Sequence, residues 1–438
     1  MRPLRVALVS VADPSSADES SAALPFGYGA RRVQAALLEP RVAGVEVSYL
    51  EARSPDPDSL AAELERIDPD LIGASAYIWS FPTLAEVARR AKLARPERVI
   101  VFGGPSARPV MFSLGPFRAA ADAVDVLVDG EGEGPMRDIV DVLGHGRPLS
   151  DVPGLYLRVG GAFRPTGQRA PVPLDEFPSP YRLGLTPRGA TACLETYRGC
   201  PLECTFCEWG AYKLAKEART ERALVAELRA LEALEVPEVF LVDAALNLNR
   251  RALRSLVAAE AEVGLFARVP LSCEVYATHL REEDYAFLSR CRTRRMGVGL
   301  QSFNPRVLGE AKRPFDAARF VEGVTRLAEV APATIEIILG LPGDDPASFR
   351  ETLRRALELP CRNVHVFHCL VLPEGLMTRA APGADMDYDP LTLRMRSCRG
   401  FRPQDFEELH SELEALVRER GGVAHEDGWE IDVRADQK

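Results

Sequence analysis

Three of the chain's nine cysteines fall in one run, Thr196-Tyr-Arg-Gly-Cys200-Pro-Leu-Glu-Cys204-Thr-Phe-Cys207-Glu-Trp-Gly210, and no fourth cysteine closes the set. Three clustered thiolates can hold three irons of a cubane [4Fe–4S] cluster and leave the fourth iron open to a substrate or cofactor. An open iron points to chemistry rather than electron storage. A structural zinc site needs four ligands, usually as two Cys/His pairs, and no histidine or second cysteine pair lies near this run. A disulfide framework fits poorly, because the chain is long and Cys193, Cys273, Cys291, Cys361, Cys369 and Cys398 follow no regular spacing.

Such a loop has to be carried on rigid elements, and the hydrophobic pattern on either side of it predicts two α/β sheets. Before it, short β-branched runs at Leu4–Val11, Val45–Glu51, Leu71–Tyr77, Arg98–Phe102 and Asp125–Val128 alternate with helical patterns at Gly29–Leu38, Asp58–Ile67, Thr83–Ala94, Pro109–Ala121 and Gly134–Leu143. Near-continuous apolar strands between helices indicate a parallel sheet covered on both faces. The expectation is a five-stranded doubly wound, flavodoxin- or Rossmann-like domain over residues 1–147. Ligands of such sheets sit beyond the carboxyl ends of the strands. The turns that fall there are Ser75-Ala-Tyr77-Ile-Trp79-Ser80, Gly103-Gly104-Pro105-Ser106 and Gly130-Glu131-Gly132-Glu133. Glycine at these places lets backbone approach a bulky ligand, although a plain tight turn uses it equally well.

Residues 148–188 are rich in proline and glycine and read as a linker with a hairpin at Gly154–Arg164. From there strands are expected at Thr191–Thr196, Val239–Val242, Leu271–Tyr276, Met296–Gln301, Thr334–Leu339 and Asn363–Val371. Five helical segments alternate with them, which makes a (β/α)6 partial barrel over residues 189–384. Barrel active sites gather at the carboxyl ends of the strands, and the cysteine run follows the first of these. Strand alternation puts Glu274 and Tyr276 on one face, with Gln301 ending the fourth strand, Glu336 inside the fifth, and Asp243 and Asn247 just after the second. Each is either a contact to a polar ligand or a buried, internally satisfied group. His365, His368 and Cys369 near the last strand carry the same two readings. Residues 385–438 read as a short helical tail, with one helix at Phe401–Arg420, packing on the barrel or covering its mouth.

Composition narrows the partners. The chain carries 54 Lys and Arg against 64 Asp and Glu, a net charge of −10, so no basic field draws it to nucleic acid or anionic lipid. No apolar stretch approaches the roughly 20 residues that span a membrane. The opening Met1–Ala12 has a charged tip and a short apolar run without a small-residue cleavage site, and it reads as the first strand rather than a secretion signal. A cytoplasmic location is the expectation, with neither nucleic acid nor membrane as partner.

The Cys-x3-Cys-x2-Cys spacing, with Phe206 just before the last cysteine, resembles the radical S-adenosylmethionine (SAM) superfamily. Together with the three strand-end turns it resembles the cobalamin-binding (class B) radical SAM enzymes over roughly residues 4–375. The resemblance implies a [4Fe–4S] cluster on Cys200, Cys204 and Cys207, with SAM bound to its open iron. It places Phe206 at the adenine, and Asp243, Glu274, Gln301 and Glu336 at SAM. Ser75, Tyr77, Gly103, Gly104, Pro105, Gly130, Glu131 and Gly132 would line a cobalamin pocket.

One departure bears on the cobalt. Many cobalamin domains outside this family carry Asp-x-His-x-x-Gly after the first strand, but here the loop is Ser10-Val-Ala-Asp-Pro-Ser-Ser-Ala-Asp-Glu-Ser-Ser21 and the first histidine is His145. The implied cobalamin is therefore base-off with no protein histidine ligand, and Trp79 is expected either beneath the corrin or in the core. The activity implied is methyl transfer from methylcobalamin to a carbon, in preference to phosphorus, of a small-molecule or peptide natural-product precursor. An external electron donor such as flavodoxin or ferredoxin would feed the cluster. Three alternatives share these motifs: a cyclase or ring-rearranging enzyme without methyl transfer, polar methylation without radical cleavage, and a non-catalytic corrinoid or iron–sulfur carrier.

Overall fold

Contacts divide the chain into two units, Met1–Ala190 and Thr191–Lys438. The computed structural model describes residues 2–12, 27–39, 42, 44–210, 218–426 and 428–433. The loop expected after the first strand therefore lies mostly outside the described residues.

The first unit runs β1 (Leu4–Val11), α1 (Tyr28–Leu37), β2 (Val45–Ala52), α2 (Pro57–Ile67), β3 (Leu71–Ser75), α3 (Phe81–Ala94), β4 (Val99–Gly103), β5 (Val126–Val128), α4 (Glu133–Gly144), β6 (Leu155–Val159) and β7 (Ala162–Pro165). The first five strands are parallel in the order β2-β1-β3-β4-β5. Consecutive residues of β1, β3 and β5 are buried on both faces, which requires helices on each side. The order reverses between β1 and β3, which opens a crevice at their carboxyl ends.

Two features differ from expectation. Pro109–Ala121 is not one helix but two short 3-10 turns, Pro109–Ser113 and Gly115–Ala120, since Pro116 cannot sit inside an α-helix. The hairpin read as part of the linker, β6–β7, pairs antiparallel with β5 and widens the sheet to seven strands. It covers an edge that would otherwise be open, and it brings Leu155 into the core with Val126 and Ile139.

The second unit runs β8 (Ala192–Leu194), α5 (Glu221–Ala233), β9 (Val239–Leu241), α6 (Arg250–Val263), β10 (Leu271–Val275), α7 (Glu282–Leu288), β11 (Thr293–Gln301), α8 (Pro305–Glu310), α9 (Ala317–Ala328), β12 (Ala333–Leu339), α10 (Pro346–Ala356) and β13 (Asn363–His368). It ends with α11 (Leu376–Arg379), β14 (Asp387–Tyr388), β15 (Met395–Ser397), α12 (Pro403–Arg420), β16 (Gly422–His425) and β17 (Gly428–Asp432). Strands β8 to β13 lie side by side in chain order and all parallel, the arrangement of a six-stranded partial barrel. The tail supplies the expected helix, α12. Its last residues add something else: β16 and β17 form a hairpin that pairs antiparallel with β13 and extends the barrel sheet. No helix among the described residues is long and apolar enough to cross a membrane.

Candidate active site

The cysteine loop leaves the buried strand β8 and is pinned at once by Asp243, just past the end of β9. One Asp243 carboxylate oxygen accepts from the amides of Thr196 (2.8 Å) and Tyr197 (3.3 Å), and the other accepts from the Thr196 hydroxyl. Asn247 makes the matching tie one strand over: its amide donates to the Tyr276 carbonyl and its oxygen accepts the Tyr276 N–H, both at 2.9 Å. Asp243 and Asn247, expected as cofactor contacts, are thus spent on backbone. Neither lines the cavity described below.

Further along, several approaches of the loop to its surroundings involve backbone groups. The Thr205 N–H donates to Ala311 O at 3.0 Å, and the Glu374 N–H to the Glu208 carboxylate at 3.1 Å. Arg379 donates to Cys207 O. Gly210 passes so close to the loop's own start that a Cβ there would stand 2.0 Å from Leu202 O. A segment with these ties has its buried polar groups paired without any help from the sulfurs.

Burial pushes Asp243 up to about 7 against the pull of its hydrogen bonds to Thr196 and Tyr197. The folded form therefore keeps a proton that the unfolded chain has already released, so this residue's contribution to stability falls as pH rises from 3.8 toward about 7. Asp243→Asn keeps an acceptor but cannot ionise. The variant is expected to flatten that part of the pH dependence in urea unfolding between about pH 4 and pH 7, by up to about 1.4 kcal/mol per pH unit. A variant whose slope matches the parent would remove Asp243 as its source.

Cys200, Cys204 and Cys207 open together onto one cavity of about 240 Å³ at the carboxyl ends of the barrel strands. Four of the sequence-predicted contacts, Phe206, Glu274, Gln301 and Glu336, line the same space, joined by Tyr276, Trp209 and Arg313. Two glycines make the room. On β11, Gly297 and Gly299 share a face with Gln301; a Cβ on Gly297 would stand 2.3 Å from a Glu274 oxygen, and one on Gly299 would stand 2.4 Å from Gln301 Nε2. Gln301 itself has φ +68°, a left-handed conformation costly for a side chain of its kind and often kept where function demands it. Glu336 accepts from Arg295 at 3.0 Å. Burial first, and then repulsion from Glu336, push the Glu274 carboxyl upward.

The thiols suit a multi-iron group. Cys200, Cys204 and Cys207 are in no disulfide. Burial raises Cys200 and pushes Cys207 up to about 11, so ligation there must release protons. Among the described residues no three His, Cys, Asp or Glu side chains converge closely enough for a single ion. Three thiols opening onto one cavity fit a cubane, which spreads its ligands over three corners.

In the first unit, Ser75, Gly103 and Gly104-Pro105, and Gly130-Glu131-Gly132 stand at the carboxyl edge of β3, β4 and β5. Gly104 adopts φ +96°, and a Cβ there would lie 2.7 Å from Ala76 O, so the β3 and β4 turns touch through it. Gly130 is also left-handed, at φ +88°, and Gly132 stands at the start of α4. Trp79 is half-buried: its indole N–H donates 3.2 Å to Val11 O at the end of β1, and its ring stacks on Tyr77 at 4.5 Å and 13°. It therefore bridges β1 and β3 at the crevice where the strand order reverses. A bulky planar ligand fits turns of this kind, with glycine where backbone comes close and flat aromatic surface beside it.

The last-strand residues have structural surroundings. His365 stacks on Phe367 at 3.9 Å, and burial pushes it down to about 3. His368 meets His410 at 3.1 Å and Met395 O at 2.8 Å, and burial pushes the Cys369 thiol up. None of the three lines the cavity. Sequence reasoning missed Arg313 and the space opened by Gly297 and Gly299. Two glycines two residues apart in a predicted strand were the available signal for the space; nothing in the pattern marked Arg313.

Comparison with known proteins agrees with both units. The B12 binding domain model matches residues 28–140, and the Radical SAM superfamily model matches residues 194–356. The 2-(S-pantetheinyl)-carbapenam-3-carboxylate methyltransferase of Streptantibioticus cattleyicolor is 30% identical over 334 residues, covering 70% of this chain and 48% of that protein. The cobalamin-dependent radical SAM methyltransferase TokK of Streptomyces tokunonensis is 28% identical over 336 residues, with the same two coverages of 70% and 48%. The chain thus spans about half the length of these two relatives. The radical SAM methyltransferase TsrM of Kitasatospora setae shares the fold, with a TM-score of 0.69 at 18% identity over 94% of this chain and 88% of that one. A [4Fe–4S] cluster, SAM and cobalamin are the cofactors that the two matched domains imply. The chain belongs to the cobalamin-binding radical SAM enzymes.

Proposed function

We propose that the chain is a cobalamin-dependent methyltransferase that places a methyl group on a carbon centre of a small-molecule or peptide precursor of a natural product. The observation that carries this reading is the single cavity onto which three cysteine thiols, Glu274, Gln301 and Glu336 all open. The relatives support the acceptor class: one is named for a small carboxylate, and TsrM was solved with tryptophan as substrate.

When bound, the cluster supplies the electron that cleaves SAM, and cobalamin supplies the methyl group. The chain's part is to hold and orient. Cys200, Cys204 and Cys207 take three irons. Glu274 and Glu336, with Gln301 between them on β11, would offer acceptors to the amino and hydroxyl groups of SAM. Phe206 borders the adenine. In the first unit the turns at Ser75–Ser80, Gly103–Ser106 and Gly130–Gly132 would receive the corrin, with the Trp79 and Tyr77 rings offering flat surface to it and no histidine available from the Ser10–Ser21 loop. A one-electron donor of the flavodoxin or ferredoxin kind completes the system.

Anaerobic turnover with SAM, cobalamin, reductant and a methyl acceptor is expected to yield S-adenosylhomocysteine and 5′-deoxyadenosine together. Turnover without S-adenosylhomocysteine would replace methyl transfer by cyclisation or rearrangement. S-adenosylhomocysteine without 5′-deoxyadenosine would make the methylation polar.

A further inference from the structure

Among the described residues that line the cavity, Arg313 is the one cation, and its setting is specific. Nη1 points at the Cys204 sulfur, 3.8 Å away, while Nη2 donates to Gly299 O on β11. The guanidinium lies over the Tyr276 ring, 5.2 Å from its centroid. Tyr276 is itself fixed at both ends, its backbone N–H donating to Asn247 Oδ1 at 2.9 Å and its hydroxyl to Pro314 O at 2.7 Å. Gly299 completes the seat, since a Cβ there would stand 3.1 Å from Arg313 Nη2. One arm of the fork is therefore anchored to backbone, the face is stacked, and the free arm is left for a sulfur.

We propose that Arg313 sets the reduction potential of the cluster by donating to the Cys204 sulfur. A thiolate-held cluster is anionic, and each added electron makes it more so; hydrogen bonds to its sulfurs and the charge around it fix its potential. Guanidinium stays charged at any working pH. Glu336 on the same wall is already paired with Arg295, and among the described residues that line the cavity Arg313 is the cation beside a cysteine sulfur, so it is the group that favours the reduced state. One electron passes from an external low-potential donor to the cluster, and no bond to Arg313 is made or broken.

The inference rests on the cysteine triad being the cluster site, and the test separates the two. Anaerobically reconstituted protein and Arg313→Gln are poised with the same sodium dithionite mixture, and the reduced fraction is read by electron paramagnetic resonance beside iron and sulfide content. At equal iron, Arg313→Gln is expected to show a reduced-to-oxidised ratio at least about tenfold lower, which for one electron is about 59 mV. Arg313→Lys keeps the charge without the fork and is expected to fall in the same direction by less. An iron-replete Arg313→Gln with the parent ratio overturns the inference. If that variant takes up no iron, a parent ratio in Arg313→Lys overturns it instead. Failure of the cluster reading looks different: the parent protein itself would hold no iron.

Discussion

Cys204→Ala is expected to lose the cluster outright while leaving the chain folded. Anaerobic reconstitution should bring the parent protein to about four irons and the variant close to none, with 5′-deoxyadenosine formation falling to background. The expectation of an intact fold comes from how the loop is held. Its short ties run through backbone and through Asp243, Arg379, Ala311 and Glu208, and the Cys204 sulfur adds to them the long 3.8 Å contact from Arg313. The Cys204 side chain is buried, so removing its sulfur costs about 1 kcal/mol of packing, within what a domain of this size tolerates. Circular dichroism and the unfolding midpoint of the iron-free proteins would show it.

Cys193→Ala is the control. That thiol sits inside β8, eleven positions before Cys204, in surroundings that push it up to about 12 and make it inert. Its loss should leave iron content unchanged. If Cys204→Ala also retained the parent's iron, the triad would not be the cluster site, and the reaction built on it would fall with it.

The limits of sequence reasoning follow the range of the forces involved. Glu274, Gln301 and Glu336 could be placed on a common cavity because strand alternation is local and parallel neighbours in chain order carry it across the sheet. Asp243 could not be resolved in the same way. A carboxylate just past a strand end can face a ligand or bend back to cap the neighbouring loop, and here the orphan amides of Thr196 and Tyr197 decide. Arg313 reaches the cavity because α8 is a short helix that closes against the cysteine loop through Ala311, a long-range contact that leaves no periodic trace. The β6–β7 hairpin was legible as a hairpin, but its pairing with β5 and the whole of β16–β17 were hidden for another reason. Each adds an antiparallel pair to the edge of a parallel sheet, and segments with so few buried positions look like connecting chain.

The cobalamin assignment makes its strongest demand on one glycine. Gly104 holds φ +96° between β4 and the turn that follows, with the Ala76 N–H on Gly103 O at 2.7 Å and the Ser106 N–H on Ala76 O at 3.1 Å. Any side chain there must both take a left-handed conformation, at about 1–2 kcal/mol, and push Ala76 O away from 2.7 Å. The β3 and β4 turns, which together form the proposed cobalamin edge, would have to separate. Gly104→Ala is therefore expected to lower cobalamin retention at least about tenfold, equivalent to about 1.4 kcal/mol of binding, measured as cobalamin per chain after anaerobic gel filtration.

Gly44→Ala separates this effect from simple destabilisation. Gly44 is left-handed too, at φ +71°, but a Cβ there meets nothing within 4 Å, and it precedes β2 at the opposite edge of the sheet. It should lose comparable backbone stability and keep its cobalamin. Equal retention in both variants would mean that the β3–β4 contact does not shape the cobalamin site. Loss confined to Gly104→Ala, with the cluster's iron unchanged, would tie the corrin to the strand-end turns independently of the radical SAM unit.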